Sequence, residues 1–196
     1  MTPRVFDTSD PALREFLDEL LETGGVVVFP TDTVPGLGGD PWDRRALARV
    51  RRLKGRAEDQ PFTLHLPSVE AVERVASLDE TSRGALGRFL PGPYTFLLRE
   101  GDGAPPSATR EGKVGLRVPR HAFFSQVMRD LNRPLFGTSV NRSGEPPLLG
   151  LEEILERFPE VDLVVTGEAG SGITSAVIDL TRDPPRAVRG TLPEDL

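Results

Sequence analysis

The chain has no cysteine among its 196 residues, which excludes disulfides, thiolate metal sites and thiol nucleophiles. Large aromatics are scarce too: one Trp and one Tyr, with two Met, give no lipid or cofactor signature. No apolar run approaches the ~20 residues of a membrane span, and the amino end, "MTPRVFDTSDPALREF", lacks the regions of a signal peptide. The expectation is a cytoplasmic protein with no membrane partner. Positive charge is in deficit, since 24 Lys and Arg face 30 Asp and Glu for a net charge of -6. That argues against a broad nucleic-acid-binding surface but leaves room for a local basic patch.

The length suits one sizeable core, so a single domain over residues 1–196 is expected, with its core at about 10–190. Asp10-Pro11 reads as the capped start of a helix carrying Leu13, Phe16, Leu17, Leu20 and Leu21, ended by Gly24-Gly25. The strand "VVVF" follows and runs into a Pro- and Gly-broken loop, "PTDTVPGLGGD". Asp40-Pro41 reads as a second cap, opening a helix with Ala46, Leu47, Val50 and Leu53 on one face. Strand "PFTLHL", helices "SVEAVERVA" and "DETSRGALGRFL", and strands "YTFLL" and "VGLRV" come next, the last two separated by a loop from Glu100 to Gly112. The remainder alternates helix "HAFFSQVMRDL", strand "PLFGTSV", helix "LEEILERF" and strands "VDLVVTG" and "SAVIDLT". Such alternation implies an α/β fold: a twisted, mixed parallel and antiparallel sheet with flanking helices, and loops at strand ends that can form a pocket.

Two phosphate-loop patterns fail. After Gly36 and Gly38 the third glycine of a dinucleotide fingerprint is replaced by Pro41, and "GEAGSGIT" carries Ile173 where a phosphate loop needs lysine. No carboxylates, Asp32 and Asp179 included, have metal-ligand spacing, so a divalent metal would arrive only with a nucleotide. No G-x-S-x-G marks a serine nucleophile. Of the crowded cations in "RRALARVRRLKGR", most read as a solvated helix face, whereas Lys54 and Arg56 flank Gly55 and can both address a bound anion. Arg117 ends a strand and is compatible with either a surface ion pair or a ligand contact. Thr138, Ser139, Asn141 and Ser143 in "FGTSVNRSG" offer neutral donors and acceptors suited to ribose, purine or phosphate oxygens, or to ordinary turn chemistry. His65 alone reads best as a satisfied core histidine.

Taken in order, "PTDTVPGLG", "KGR", "FTLHL", "PGPYTFLL", "VGLRVP", "TSVNRSG" and "SAVIDLT" resemble the YrdC family, in particular its threonylcarbamoyl-AMP synthases, over about Gly24 to Gly190. The resemblance implies synthesis of threonylcarbamoyl-adenylate and pyrophosphate from L-threonine, bicarbonate and ATP, with Mg2+ accompanying ATP. The product goes to a separate tRNA threonylcarbamoyl transferase. By resemblance, Lys54 and Arg56 are catalytic. Arg56, Gln60, Ser139, Asn141, Ser143 and Arg189 surround ATP, and Thr33, His65, Arg117 and Ser175 hold threonine, with Arg117 facing its carboxylate. The chain departs from the family's usual pattern at Pro35 (commonly Tyr), Gln60 (Lys), Val140 (Ala) and Ala176 (Thr). An alternative implied by the resemblance is a divergent, YciO-like paralogue that binds a nucleotide. Weak RNA binding through the Arg44 to Arg56 stripe is another, as the family has been linked to double-stranded RNA.

Overall fold

Leu13, Leu17 and Leu21 recur every four residues and are buried, so the first periodic stretch winds as helix α1 (Leu13–Glu22) with one apolar stripe inward. The computed structural model describes residues 2–196. Strand β2 (Val27–Phe29) is buried on both faces. Val27 and Phe29 pack with the leucines of α1, while Val26 and Val28 turn to Ala46, Val50 and Leu53 of α2 (Arg44–Lys54) and Ile154 of α5 (Leu151–Arg157). This alternation is the period-two signature of a sheet covered on both sides.

The other strands are β1 (Arg4–Asp7), β3 (Gly36–Gly39), β4 (Thr63–His65), β5 (Ala76–Ser77), β6 (Tyr94–Glu100), β7 (Thr109–Arg110), β8 (Lys113–Arg117), β9 (Leu135–Ser139), β10 (Leu163–Thr166), β11 (Ala176–Asp179) and β12 (Arg186–Arg189). Among the described residues they form one twelve-stranded sheet in the order β1-β10-β2-β3-β9-β4-β8-β6-β11-β12, with β5 on β6 and β7 on β8. Pairings β1/β10, β10/β2, β4/β8 and β6/β11 are parallel; the others are antiparallel, including the expected β6/β8 pair. Helix α3 (Glu80–Phe89) covers the second half of the sheet around Phe96, Leu98, Val114, Leu116 and Ile178. Among the described residues no helix is long and apolar enough to cross a membrane.

Several local expectations are corrected. Asp10 closes a turn onto Ala12 N ahead of α1, and the residue before that helix has no side-chain cap. Asp40 likewise closes a turn onto Trp42 N, and the cap of α2 is Asp43, which accepts from Arg45 N and Ala46 N. An Asp-Pro pair suits a turn as well as a helix start, and here the turn precedes the helix in both cases. "SVEAVERVA" becomes a short 3-10 turn, Glu70–Arg74, plus β5, and "HAFFSQVMRDL" forms a π-helix, Phe123–Met128, before the short α4 (Arg129–Leu131). The Glu100 to Gly112 loop contains β7, while β1 and β12 lie in segments too exposed to show a buried-strand pattern.

The largest correction is β3. Its glycines disfavour a strand by propensity, yet Gly36–Gly39 is buried throughout and antiparallel to both β2 and β9. Glycine is required there because a Cβ on Gly38 would stand 1.7 Å from the carbonyl oxygen of Phe136. Gly38→Ala should therefore lower the unfolding free energy by about 3 kcal/mol or more. Gly84→Ala, in α3 with open space around its Cβ position, should leave it unchanged or raise it by up to about 1 kcal/mol. Denaturant unfolding of the two variants checks this, and similar effects for both would contradict the close-packing argument.

Candidate active site

A polar cleft of about 200 Å³ opens where the β2–β3 loop, the ends of β9 and β8, and the segment before β11 converge. Thr33, Arg56, His65, Arg117, Ser139, Ser175 and Arg189 all line it. A second, more apolar cavity of about 330 Å³, walled by Leu149, Leu151, Ile154 and Val164, shares Thr33 and Pro35 with it.

Arg117 sits at the buried end of β8. Its Nη1 donates to Thr33 Oγ1 (2.8 Å), and its Nη2 donates to Asp32 Oδ1 (2.6 Å) and Gly92 O (3.3 Å). Its Nε is buried and has no hydrogen-bond partner. Burial lowers its pKa, the Asp32 carboxylate opposes that shift, and Arg189 adds to it. The surface-ion-pair reading is excluded: the pair with Asp32 is buried.

Thr33 receives more than Arg117. Thr31 Oγ1 donates to Val34 O (2.8 Å), so in its 2.9 Å contact with Thr33 Oγ1 the proton belongs to Thr33. The hydroxyls thus relay in one direction from Arg117 through Thr33 and Thr31 to the backbone.

His65 Nδ1 lies 3.2 Å from Thr63 O, and because a carbonyl can only accept, Nδ1 carries the proton. Nε2 is then left as an acceptor. Burial, and then the charge of Arg117, push the pKa of His65 down to about 3, so the ring is neutral near pH 7. Phe29 (5.2 Å, edge-on) and Phe124 (5.9 Å, stacked) fix its plane, and the absent side chain of Gly137 makes room for it, since a Cβ there would meet the imidazole at 2.7 Å.

The Lys54 ammonium does not line the cleft. It donates to Ser139 O (2.6 Å), Asn141 O (2.7 Å) and Asn141 Oδ1 (3.0 Å), which occupies its three N–H groups. Burial and then the Arg56 charge lower its pKa to about 8. Asn141 is held as tightly: its Oδ1 also accepts from Ser139 Oγ (2.5 Å), and its Nδ2 donates to Arg142 O and Glu145 O. Lys54 is therefore a positioning group that fixes the turn after β9, rather than a cation aimed at a ligand. Arg56 is the half-buried, cleft-lining member of the pair: one nitrogen donates to Pro61 O, its guanidinium lies 5.1 Å from the Phe62 ring centroid, and its buried Nε has no partner. Gln60 and Ser143 are exposed and outside the cleft lining; Ser143 N donates to Lys54 O. Arg189, on β12, is strapped to Ser175 by bonds to its O and Oγ, and Ser175 Oγ meets Thr95 Oγ1 at 2.9 Å.

The reading from sequence missed Asp32, Thr31, Thr63, Thr95 and Thr174. Thr63 and His65 in "FTLHL" alternate on one strand face, and that period was the available signal for the cleft floor. Nothing local marked Asp32 as the partner of Arg117. The arginine stripe of α2 is largely compensated: Arg49 pairs with Asp162, Arg45 with Asp43, and Arg51 donates to Glu58 O.

No carboxylate lines the polar cleft, and no group of three or more His, Asp or Glu side chains among the described residues could hold a metal ion. Arg56, Arg117 and Arg189 make it a place for anions, with hydroxyls and a neutral imidazole to orient them. Such an arrangement can position anionic reactants and offset their charge.

Residues 19–190 match the family described as "Telomere recombination", Sua5/YciO/YrdC. A threonylcarbamoyl-AMP synthase of Pyrococcus abyssi is 34% identical over 178 residues, covering 88% of this chain, which spans about half (52%) of that relative. A synthase of the same name from Chromobacterium violaceum is 33% identical over 86% of this chain and 89% of its own length. The uncharacterized protein YciO of Escherichia coli is 30% identical over 87% and 85%. Among solved structures, P. abyssi Sua5 complexed with L-threonine superposes with a TM-score of 0.85 at 29% identity, covering 95% of this chain and 57% of that one. E. coli YciO gives 0.86 at 27%, covering 98% and 97%.

The neutral His65 has a measurable consequence. Its folded pKa lies below the ordinary 6.5, so as pH falls below 6.5 the unfolded chain binds a proton that the folded one does not. Stability from this residue is present above that pH and is lost at up to about 1.4 kcal/mol per pH unit on the way to the folded value. Urea unfolding from about pH 7 to about pH 4 should show a steeper loss in the native protein than in His65→Gln, by close to one proton. Parallel slopes would sink the assignment of a buried neutral imidazole.

Proposed function

The chain belongs to the Sua5/YciO/YrdC family, and we propose that it is a threonylcarbamoyl-AMP synthase that joins L-threonine, bicarbonate and ATP. The observation that carries this reading is the gradient of burial along the cleft lining, from buried Thr33, His65, Arg117 and Ser175 to half-buried Arg56 and Ser139 and exposed Arg189. At the buried end, the Arg117 guanidinium lines the cleft and offers a charged donor to the threonine carboxylate. Thr33, His65 and Ser175 surround the same space, and the bare Nε2 of His65 accepts from the amine or hydroxyl. The more exposed end holds Arg56 and Arg189 beside Ser139, suited to a polyphosphate.

In this reading the threonine amine attacks bicarbonate with loss of water. A carbamate oxygen then attacks the α-phosphorus as its bond to the bridging oxygen of pyrophosphate breaks. Arg56 and Arg189 offset the charge gathering on the leaving pyrophosphate. Mg2+ enters with ATP as part of the substrate. In this reading the product serves a separate transferase that modifies tRNA, and the protein works in the cytoplasm. A second reading, a YciO-like member without this activity, is favoured by Pro35, which stands where the synthases commonly carry Tyr.

Pyrophosphate release from ATP and bicarbonate separates the two. It should require L-threonine, and valine should support it ~100-fold less well or worse, because a site that pairs with the substrate hydroxyl leaves polar groups unpaired with an analogue lacking it. Release that is absent or indifferent to threonine removes the synthase reading. Arg56→Ala should lower kcat/KM by roughly 100-fold with little change in Tm. Lys54→Ala should lower both activity and stability, the latter by about 2–4 kcal/mol, since it strands buried acceptors on Ser139 and Asn141. Unchanged stability in Lys54→Ala would contradict its positioning role.

A further inference from the structure

The chain's one tryptophan is not in the core. Trp42 is 52% exposed, and it lines a third cavity, of about 410 Å³, beyond the far ends of β3 and β9. The register places this cavity away from the polar cleft: Gly36 and Ser139 pair at the cleft end, while Asp40 and Pro134 lie just past the opposite ends of the same two strands. The cavity floor is apolar, made by Leu66, Ala71 and Val75. Its rim is polar and unevenly satisfied.

At that rim Arg74 Nη1 donates to Asn132 Oδ1 (3.0 Å), and among the described residues Arg74 has no carboxylate partner, its neighbour Glu73 being paired with Arg83. The bond from Arg74 fixes the orientation of the Asn132 amide and leaves its NH2 group as a donor. Asp40 Oδ1 accepts from Trp42 N (2.8 Å), which leaves Oδ2 as an acceptor and ties the carboxylate to the residue bearing the indole. One aromatic face, one donor, one acceptor and one uncompensated guanidinium thus converge on a volume of small-ligand size.

We propose that this cavity is a second binding site, for a purine nucleotide. The base stacks on the Trp42 indole, its hydrogen-bonding edge meets Asn132 Nδ2 and Asp40 Oδ2, and its phosphate meets Arg74. Stacking is sequence-tolerant and strong on an exposed indole. A guanidinium without an acidic partner gives up no internal ion pair when it binds phosphate. The same chemistry is offered by a free mononucleotide and by an unpaired nucleotide of an RNA strand. The site is independent of the synthase reading, because no residue of the polar cleft takes part in it.

Since Trp42 is the sole tryptophan, its fluorescence reports this site directly. Titration of the full chain with AMP, and in parallel with a short single-stranded oligoadenylate and with adenosine, should quench or shift the emission saturably. Adenosine should bind roughly tenfold more weakly than AMP, and Arg74→Ala should weaken AMP by a similar factor. Arg56→Ala, which alters only the cleft, should leave the signal intact. Tighter binding of oligoadenylate than of AMP assigns RNA as the source; the reverse assigns a free nucleotide. Calorimetry on Trp42→Leu, with its Tm confirmed, should show this binding event lost. The proposal is overturned by no saturable change at millimolar AMP, by an AMP affinity that is unchanged in Arg74→Ala, or by a response that disappears in Arg56→Ala.

Discussion

The cleft depends on the buried guanidinium of Arg117. From the end of β8 it reaches the β2–β3 loop through Asp32 and Thr33 and the turn before β6 through Gly92 O. Taking such a charge out of water costs several kcal/mol, and loss of one partner of a buried pair typically costs about 3–5 kcal/mol because the other is left uncompensated. The loop therefore has one low-energy position, set by the cation beneath it. A second layer builds on that position: Ser171 N donates to Asp32 O and Gly172 N to Thr33 O (2.9 Å), and Gly170 lies so close that a Cβ would fall 2.4 Å from Thr33 O. The glycine-rich segment that resembles a failed phosphate loop is thus the strap that carries the chain on to Thr174 and Ser175. Its glycines serve close backbone approach instead of phosphate contact.

A related logic fixes the other side. Lys54 closes α2 onto the turn after β9, and the αL conformation of Gly55 (φ 62°) lets the chain reverse so that Arg56 returns over Phe62. Two adjacent cations have divided roles: one is spent inside the protein to shape the turn, and one is left facing the cleft. The separation is electrostatic as well as steric. Burial and then the Arg56 charge lower the proton affinity of Lys54, burial and then Arg51 lower that of Arg56, and the oxygens around Lys54 solvate its ammonium in place of water. The free positive potential therefore gathers where Arg56, Arg117 and Arg189 meet the solvent-accessible cleft.

Much of the framework was legible because burial imposes period. Leu13, Leu17 and Leu21, the alternation in "YTFLL" and "VGLRV", and the run Val26 to Phe29 each report a face that packing then uses. What escaped was structure made by absent side chains or by distant partners. Gly36–Gly39 forms a central strand only because Phe136 needs the space, and no propensity in the segment announces that. The roles of Asp10 and Asp40 were misplaced by one turn, since an Asp-Pro pair closes either kind of motif. In the site, the residue types were readable but their direction was not: Lys54 and Arg56 are chemically alike in sequence, and only the position of the Ser139 and Asn141 carbonyls distinguishes them.

Pro35 joins these threads. It forms part of the wall shared by the polar cleft and the apolar cavity, and its carbonyl accepts from Val140 N (3.2 Å), between the two polar residues of the β9 turn. With Pro30 it brackets Thr31 to Val34, so the backbone entering and leaving the cleft-lining Thr33 has fixed φ at both ends. Thr31 Oγ1 closes the interval onto Val34 O. A segment so restrained loses little further entropy when a ligand settles on Thr33. An aromatic at this position would add stacking area but would carry an ordinary, freer backbone. The proline instead trades ring contact for fixed geometry in the wall between the two cavities.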